Sequence, residues 1–130
     1  MPVDYMIDQK HRVILTIGDG PVTFSEIRNH QDRLLSDPDF DPAFSQLIDV
    51  TTATRFDMSI DEAKQVALRP IVSPTSKRAF VASEPAIYGL GRLMQVYHGH
   101  MARVDVFRDR NLALKWLGFN DDLDLLEISN

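Results

Sequence analysis

The chain contains no cysteine. Disulfides, thiolate metal sites and cysteine nucleophiles are therefore excluded, and nothing in the sequence requires an oxidising compartment. Long hydrophobic runs are missing as well. Apolar stretches such as Val13 to Ile17 fall far short of the roughly 20 residues that a membrane-spanning helix needs. There is no basic excess: 14 Lys and Arg stand against 19 Asp and Glu, a formal charge of −5. That balance offers no overall field to attract phosphate backbones or anionic headgroups, so nucleic acid is not an expected partner. The opening Met-Pro-Val-Asp-Tyr passes directly into strand-like sequence without a basic and apolar signal region. A cytoplasmic location is the expectation.

What is present is ordinary for a soluble globular chain. The 130 residues are 44% hydrophobic and 25% charged, enough apolar material for one continuous core under a mixed-charge surface. One α/β domain over residues 1–118 is expected, followed by an acidic tail at 119–130 that still carries alternating Leu and Ile. Such a tail suits either cover for an apolar patch, on its own subunit or a neighbour's, or plain fraying.

Hydrophobic period and capping chemistry place the elements. Val3, Tyr5 and Ile7 alternate with polar residues, and Val13-Ile14-Leu15-Thr16-Ile17 is β-branched and apolar; the two read as a β-hairpin across Asp8-Gln9-Lys10-His11. Gly18, Gly20 and Pro21 are expected to end the second strand, and Thr23 with Glu26 forms a capping box for a helix from about Phe24 to Ser36. On it Phe24, Ile27, Gln31, Leu34 and Leu35 share a face, while Arg28, Asn29 and Asp32 point outward. After the Asp37-to-Phe44 link, anchored by Phe40 and Phe44, Gln46 to Val50 reads as a buried strand. Ser59 and Glu62 make a second capping box, opening a helix from about Ile60 to Arg69 with Ala63, Val66 and Ala67 inward.

Arg78 to Ala82 reads as the fourth strand. Ser83 and Pro85 begin a third helix with Ala86, Leu90, Leu93, Met94 and Tyr97 as its inward stripe, and Val104 to Phe107 is the fifth strand. Asp109 caps a last helix carrying Leu112, Ala113, Trp116 and Leu117, stopped by Gly118. The order ββαβαβαβα, with right-handed crossovers, gives a five-stranded mostly parallel sheet with an antiparallel first strand. If sequential strands are also neighbours, the helices gather on one face and the other needs a lid, a ligand or a second subunit, which makes a homodimer a candidate.

Several of these segments together resemble the stand-alone bacterial SpoIIAA-like (STAS/Sec14-like) proteins. They are Pro2-Val3-Asp4-Tyr5, the link from Asp37 to Phe44, the strand Gln46-Leu47-Ile48-Asp49-Val50, and Phe107-Arg108-Asp109 with Ala113 to Leu117. The resemblance covers about residues 2 to 118. It implies a β–α fold and a non-catalytic regulatory role through protein contact, as in the anti-sigma-factor antagonists that bind a kinase partner. In those relatives an Asp-Ser-Ser-Gly-Leu-Gly segment holds the phosphorylated serine. The matching stretch here is Asp57-Met58-Ser59-Ile60-Asp61-Glu62, in which Ser59 is the one serine that corresponds, both glycines are absent, and Asp61 and Glu62 would repel a phosphate.

No catalytic set stands out, so neither an enzyme nor a cofactor is expected. Ser59 is the candidate phosphosite, although a helix cap explains it fully. His98-Gly99-His100 lacks a standard zinc spacing and suits a helix C-terminus. Gly89-Leu90-Gly91 falls within a helical pattern, where small residues allow close packing in preference to phosphate binding. The Asp57, Asp61 and Glu62 cluster is accounted for by the helix dipole. His11 and His30 read as lone turn and helix-surface residues. Tyr88, Met94, Tyr97, Met101 and Trp116 form the candidate apolar ligand surface, fit for a small apolar ligand such as an acyl chain and consistent with an alternative lipid-binding, membrane-proximal role.

Overall fold

The computed structural model describes residues 2–98 and 103–119. Its elements are β1 (Val3–Asp8), β2 (Val13–Thr23), α1 (Phe24–Ser36), β3 (Ser45–Asp57), α2 (Ile60–Leu68), β4 (Lys77–Val81), α3 (Pro85–His98), β5 (Arg103–Phe107) and α4 (Arg110–Leu117). The strands form one sheet in the order β1-β2-β3-β4-β5. β1 pairs antiparallel to β2 and every other pair is parallel, the mixed α/β sheet that the element order demands.

The helix boundaries follow from local chemistry. The Thr23 hydroxyl accepts from the Glu26 amide at 3.2 Å while Glu26 Oε1 accepts from the Thr23 amide at 2.9 Å. Ser59 and Glu62 repeat the exchange at 3.1 and 2.9 Å. Each box satisfies amides that a helix start would otherwise leave unpaired. Asp109 caps α4 through the Asn111 amide at 2.7 Å, and Gly118 closes it at φ 102°, a conformation that carries no Cβ penalty in glycine.

β2 does not stop at Gly18 but runs on to Thr23. Register shifts at Ile17/Asp19 and Gly20/Pro21 absorb the irregular residues, with Gly20 at φ 62°. Pro21 lies at the second register shift and beyond Gly18, where the β1 pairing ends, a bulged and one-sided position of the kind that tolerates proline in a strand.

Alternating side chains divide the core between the two sheet faces. Val50, Phe80 and Val106 lie on one face with Ile87 of α3 and, at their edge, Ile27 of α1. Ile14 joins Leu34 of α1 and Phe44 on the same side, with Phe40 packed against them, so the Asp37-to-Phe44 link is anchored by its two phenylalanines. Val13, Leu15, Leu47, Ala79 and Val81 lie on the opposite face, under Ala113 and Leu114 of α4. The helices are thus mainly on one face, but the second face is not bare: α4 is the one helix over it among the described residues. The crossover rule fixes helices between two parallel strands, and α4 follows β5, the last strand among the described residues.

α3 faces the sheet through a slightly rotated stripe. Ile87 and Gly91 are its buried residues, whereas Ala86 is exposed and Leu90, Leu93, Met94 and Tyr97 are half-buried. Gly91 is what lets the helix approach. A Cβ there would lie 2.6 Å from Phe80 Cδ1 and 2.8 Å from Phe80 Cε1, whereas Gly89 faces open space.

Candidate functional site

The face beneath α1, α2 and α3 contains a chain of buried polar side chains inside apolar surroundings. Thr16 on β2, His30 on α1, Gln46 on β3 and Arg78 on β4 are all buried. Arg78 Nε donates to Gln46 Oε1 at 3.0 Å, Gln46 Nε2 donates to Thr16 Oγ1 at 2.8 Å, and Thr16 Oγ1 lies 3.3 Å from His30 Nε2. Beside them Gln31 donates to the Val66 carbonyl at 3.2 Å and accepts from Arg69 Nη1 at 3.3 Å, tying α1 to α2.

This chain borders a cavity of about 60 Å³ lined on its apolar side by Val22, Ile27, Ile48, Phe56, Phe80 and Met94, among others. A smaller space of about 20 Å³ lies next to it, sharing Ile48, Arg78, Phe80 and Met94 and reaching Gly91 and Val104. Ile27, Ile48, Phe56, Met58 and Met94 are the half-buried members of the larger lining and mark where it approaches solvent.

Burial controls the two ionisable groups. Desolvation, with the positive charges of Arg33 and Arg78, lowers His30 to about 4, so its ring is neutral at neutral pH. Desolvation lowers Arg78 to about 10, which leaves the guanidinium charged. His30 is therefore not a helix-surface residue: it is 6% exposed, with the Tyr5 ring centroid 5.4 Å from its own. Its position follows from spacing, because Ile27, His30, Gln31 and Leu34 form one i, i+3, i+4, i+7 stripe.

The residues singled out from sequence are dispersed. Of the candidate apolar surface, Met94 alone among the described residues lines the cavities. Tyr88 is half-buried at the core edge with the Arg108 guanidinium 4.4 Å from its ring centroid. Tyr97 meets Lys64 at 5.8 Å. Trp116 lies across the sheet, against Phe107 at 5.8 Å, with its carbonyl accepting from Lys77 Nζ. One surface cannot contain Trp116 and Met94, because α4 and α3 occupy opposite faces.

Ser59 is exposed, its hydroxyl engaged in the α2 cap. Ser59→Ala should cost about 1 kcal/mol of stability in a urea melt, the usual loss for such a cap. Asp57 pairs with Arg55 at 3.0 Å and Glu62 is spent on the capping box. His11 donates its amide to Asp8 and its ring contacts the same carboxylate. Gly99, His100, Met101 and the tail from 120 to 130 lie outside the described residues, as does the His98 side chain. The first residue assigned to the tail, Phe119, packs against the α4 face of the core.

No protein-family model matches the chain, and no curated protein matches it. Among solved structures, it is similar to an uncharacterised protein of the DUF3478 family with a SpoIIAA-like fold from Shewanella loihica PV-4. The two are 16% identical over 88% of this chain and 91% of that one, with a TM-score of 0.61. The chain therefore has a SpoIIAA-like fold. Among the described residues, no helix is long and apolar enough to cross a membrane.

Proposed function

We propose that this SpoIIAA-like domain is a non-catalytic binding module that holds a small molecule in the cavity beneath α1, α2 and α3. The observation that supports this reading is the oriented polar chain from Arg78 through Gln46 and Thr16 to His30, buried against an otherwise apolar lining. Buried polar groups are costly unless satisfied, and a few convergent ones in an apolar pocket are the usual anatomy of a ligand site. No carboxylate lines the space among the described residues, so the neutral histidine has no acidic partner there for proton transfer.

Size narrows the reading. A water needs roughly 10–15 Å³ and an apolar cavity of about 150 Å³ accepts benzene, so about 60 Å³ suits a compact group of a few non-hydrogen atoms. A long acyl chain fits it poorly. The alternative of regulation through Ser59 has less support, because that hydroxyl already serves the helix cap.

Methionine methyl NMR tests the proposal. Met58 and Met94 line the cavity and exposed Met6 does not. A set of small alcohols, amides, carboxylates and aromatics should include members that shift the Met58 and Met94 methyl signals while leaving Met6 unmoved. If none does so at millimolar concentration, the binding reading is wrong.

A further inference from the structure

The polar chain ends at His30, and its direction sets which nitrogen of that imidazole carries the proton. Arg78 donates to Gln46, so the amide oxygen faces Arg78 and the amide nitrogen faces Thr16. Arg78 is an orienting group, its guanidinium already engaged. Thr16 Oγ1 receives a hydrogen from Gln46, and among the described residues its own hydrogen has one acceptor in reach, His30 Nε2 at 3.3 Å. Burial keeps the ring neutral at neutral pH. A neutral imidazole that accepts at Nε2 carries its proton on Nδ1.

His30 lines the larger cavity while being 6% exposed. Its Nδ1 is the one buried side-chain nitrogen or oxygen of that lining without a hydrogen-bond partner among the described residues. The side-chain oxygens of the lining already accept: Gln31 from Arg69, Gln46 from Arg78 and Thr16 from Gln46. We propose that the cavity takes a small neutral carbonyl compound, a ketone or aldehyde of about three or four carbons, whose oxygen accepts from His30 Nδ1–H and whose alkyl groups lie against the apolar lining. The assignment rests on the cavity being a binding site and deepens that reading.

A single neutral donor selects a single acceptor. A buried N–H without a partner forfeits the hydration it has in the unfolded chain, and a ligand oxygen restores that bond. An alcohol or amide brings hydrogens of its own, for which the lining side chains offer no unspent oxygen. A carboxylate brings a charge whose burial one neutral N–H does not offset. Water fits the space of about 60 Å³, but a buried water typically makes about three hydrogen bonds, and the lining side chains leave it this one.

Acetone, isobutene, acetamide and acetate share nearly one shape and differ in what they offer the imidazole, so the four form the test. In the ligand-free protein, ring 15N shifts should report the Nδ1–H tautomer of His30; the Nε2–H tautomer overturns the assignment. Acetone should move the His30 Nδ1–H signal together with the Met58 and Met94 methyls, whereas isobutene should move the methyls alone. Acetone should bind at least about fivefold more tightly than acetamide or acetate, the factor one net hydrogen bond supplies. In His30→Phe the ratio of acetone to isobutene affinity should fall by about the same factor. Should that variant fail to fold, the ring signals of the unaltered protein decide. An unmoved Nδ1–H signal under saturating acetone, or equal binding of acetate, overturns the carbonyl assignment while leaving the cavity as a binding site. Methyl shifts from none of the four compounds overturn both.

Discussion

Lowering the pH from 7 to 4.5 should cost the fold on the order of 2–3 kcal/mol through His30 alone. An unfolded histidine titrates near 6.5 and the folded His30 near 4. Between those values the unfolded chain holds a proton that the native state does not, so stability rises with pH across the window and falls as acid is added. Below about pH 4 the native ring is protonated too, and the loss levels off.

The groups that set this behaviour surround the ring. Burial is the largest cause, Arg33 on α1 and Arg78 on β4 also oppose protonation, and Asp4 on β1 partly favours it. Urea melts at pH 7 and pH 4.5 provide the measurement, with His30→Gln as the comparison. That variant retains hydrogen-bonding capacity beside Thr16 and cannot titrate. The pH-dependent loss should shrink by about 2 kcal/mol in it. An unchanged loss would show that the native ring already accepts a proton near pH 6.5.

Leu114→Ala should destabilise the protein by about 2–5 kcal/mol, the range for emptying a closely packed leucine site. Leu114 is 1% exposed and sits among Val13, Leu15, Leu47 and Val81. An isolated helix shorter than roughly 12–15 residues is marginal in water, so α4, with eight, depends on this contact to persist. Its truncation should lower the urea midpoint and speed hydrogen exchange in α4 before exchange in the central strands. Leu112→Ala is the internal comparison. Leu112 lies on the same helix but is 56% exposed, and its loss should stay within about 0.5 kcal/mol. Equal effects from the two substitutions would mean that α4 is not held by its inward face.

Much of the architecture was legible because it is written in short-range chemistry. Thr23 with Glu26 and Ser59 with Glu62 announce helix starts within four residues, and Gly118 announces a stop. The strands read correctly where β-branched residues run together, as at Val13 to Ile17. Legibility failed where tertiary context outweighs a local signal. Gly18 to Pro21 has turn composition, yet β3 extends beside it and the bulges accommodate it. α4 follows the last strand of the described residues, so the crossover rule that places α1 to α3 does not place it.

The candidate site was harder to see for a different reason. Thr16, His30, Gln46 and Arg78 come from four elements, and each is a residue type that a single sequence assigns to the surface by default. Gln46 opens a run read as buried and Thr16 sits inside an apolar one, and His30 shares a stripe with Ile27, Gln31 and Leu34, but no local signal links the four side chains to one another. Nor does the fold offer the crevice in which open α/β sheets usually bind ligands, which forms where the strand order reverses. Here the order runs from β1 to β5 without reversal. The cavity instead arises under the helices, where polar residues replace part of the apolar filling.

That uninterrupted strand order also gives the molecule a history during synthesis. Each strand leaves the ribosome after the neighbour it will pair with, so the sheet can extend at one edge without inserting a late strand between earlier ones. The helices of the cavity face arrive between strands and shield that side as it grows. The other side waits for α4, the last element of the described chain. Until its eight residues emerge, a nascent chain carries Val13, Leu15, Leu47 and Val81 uncovered by any helix of the described residues, so the interval between β4 and α4 is an aggregation-prone stage of synthesis.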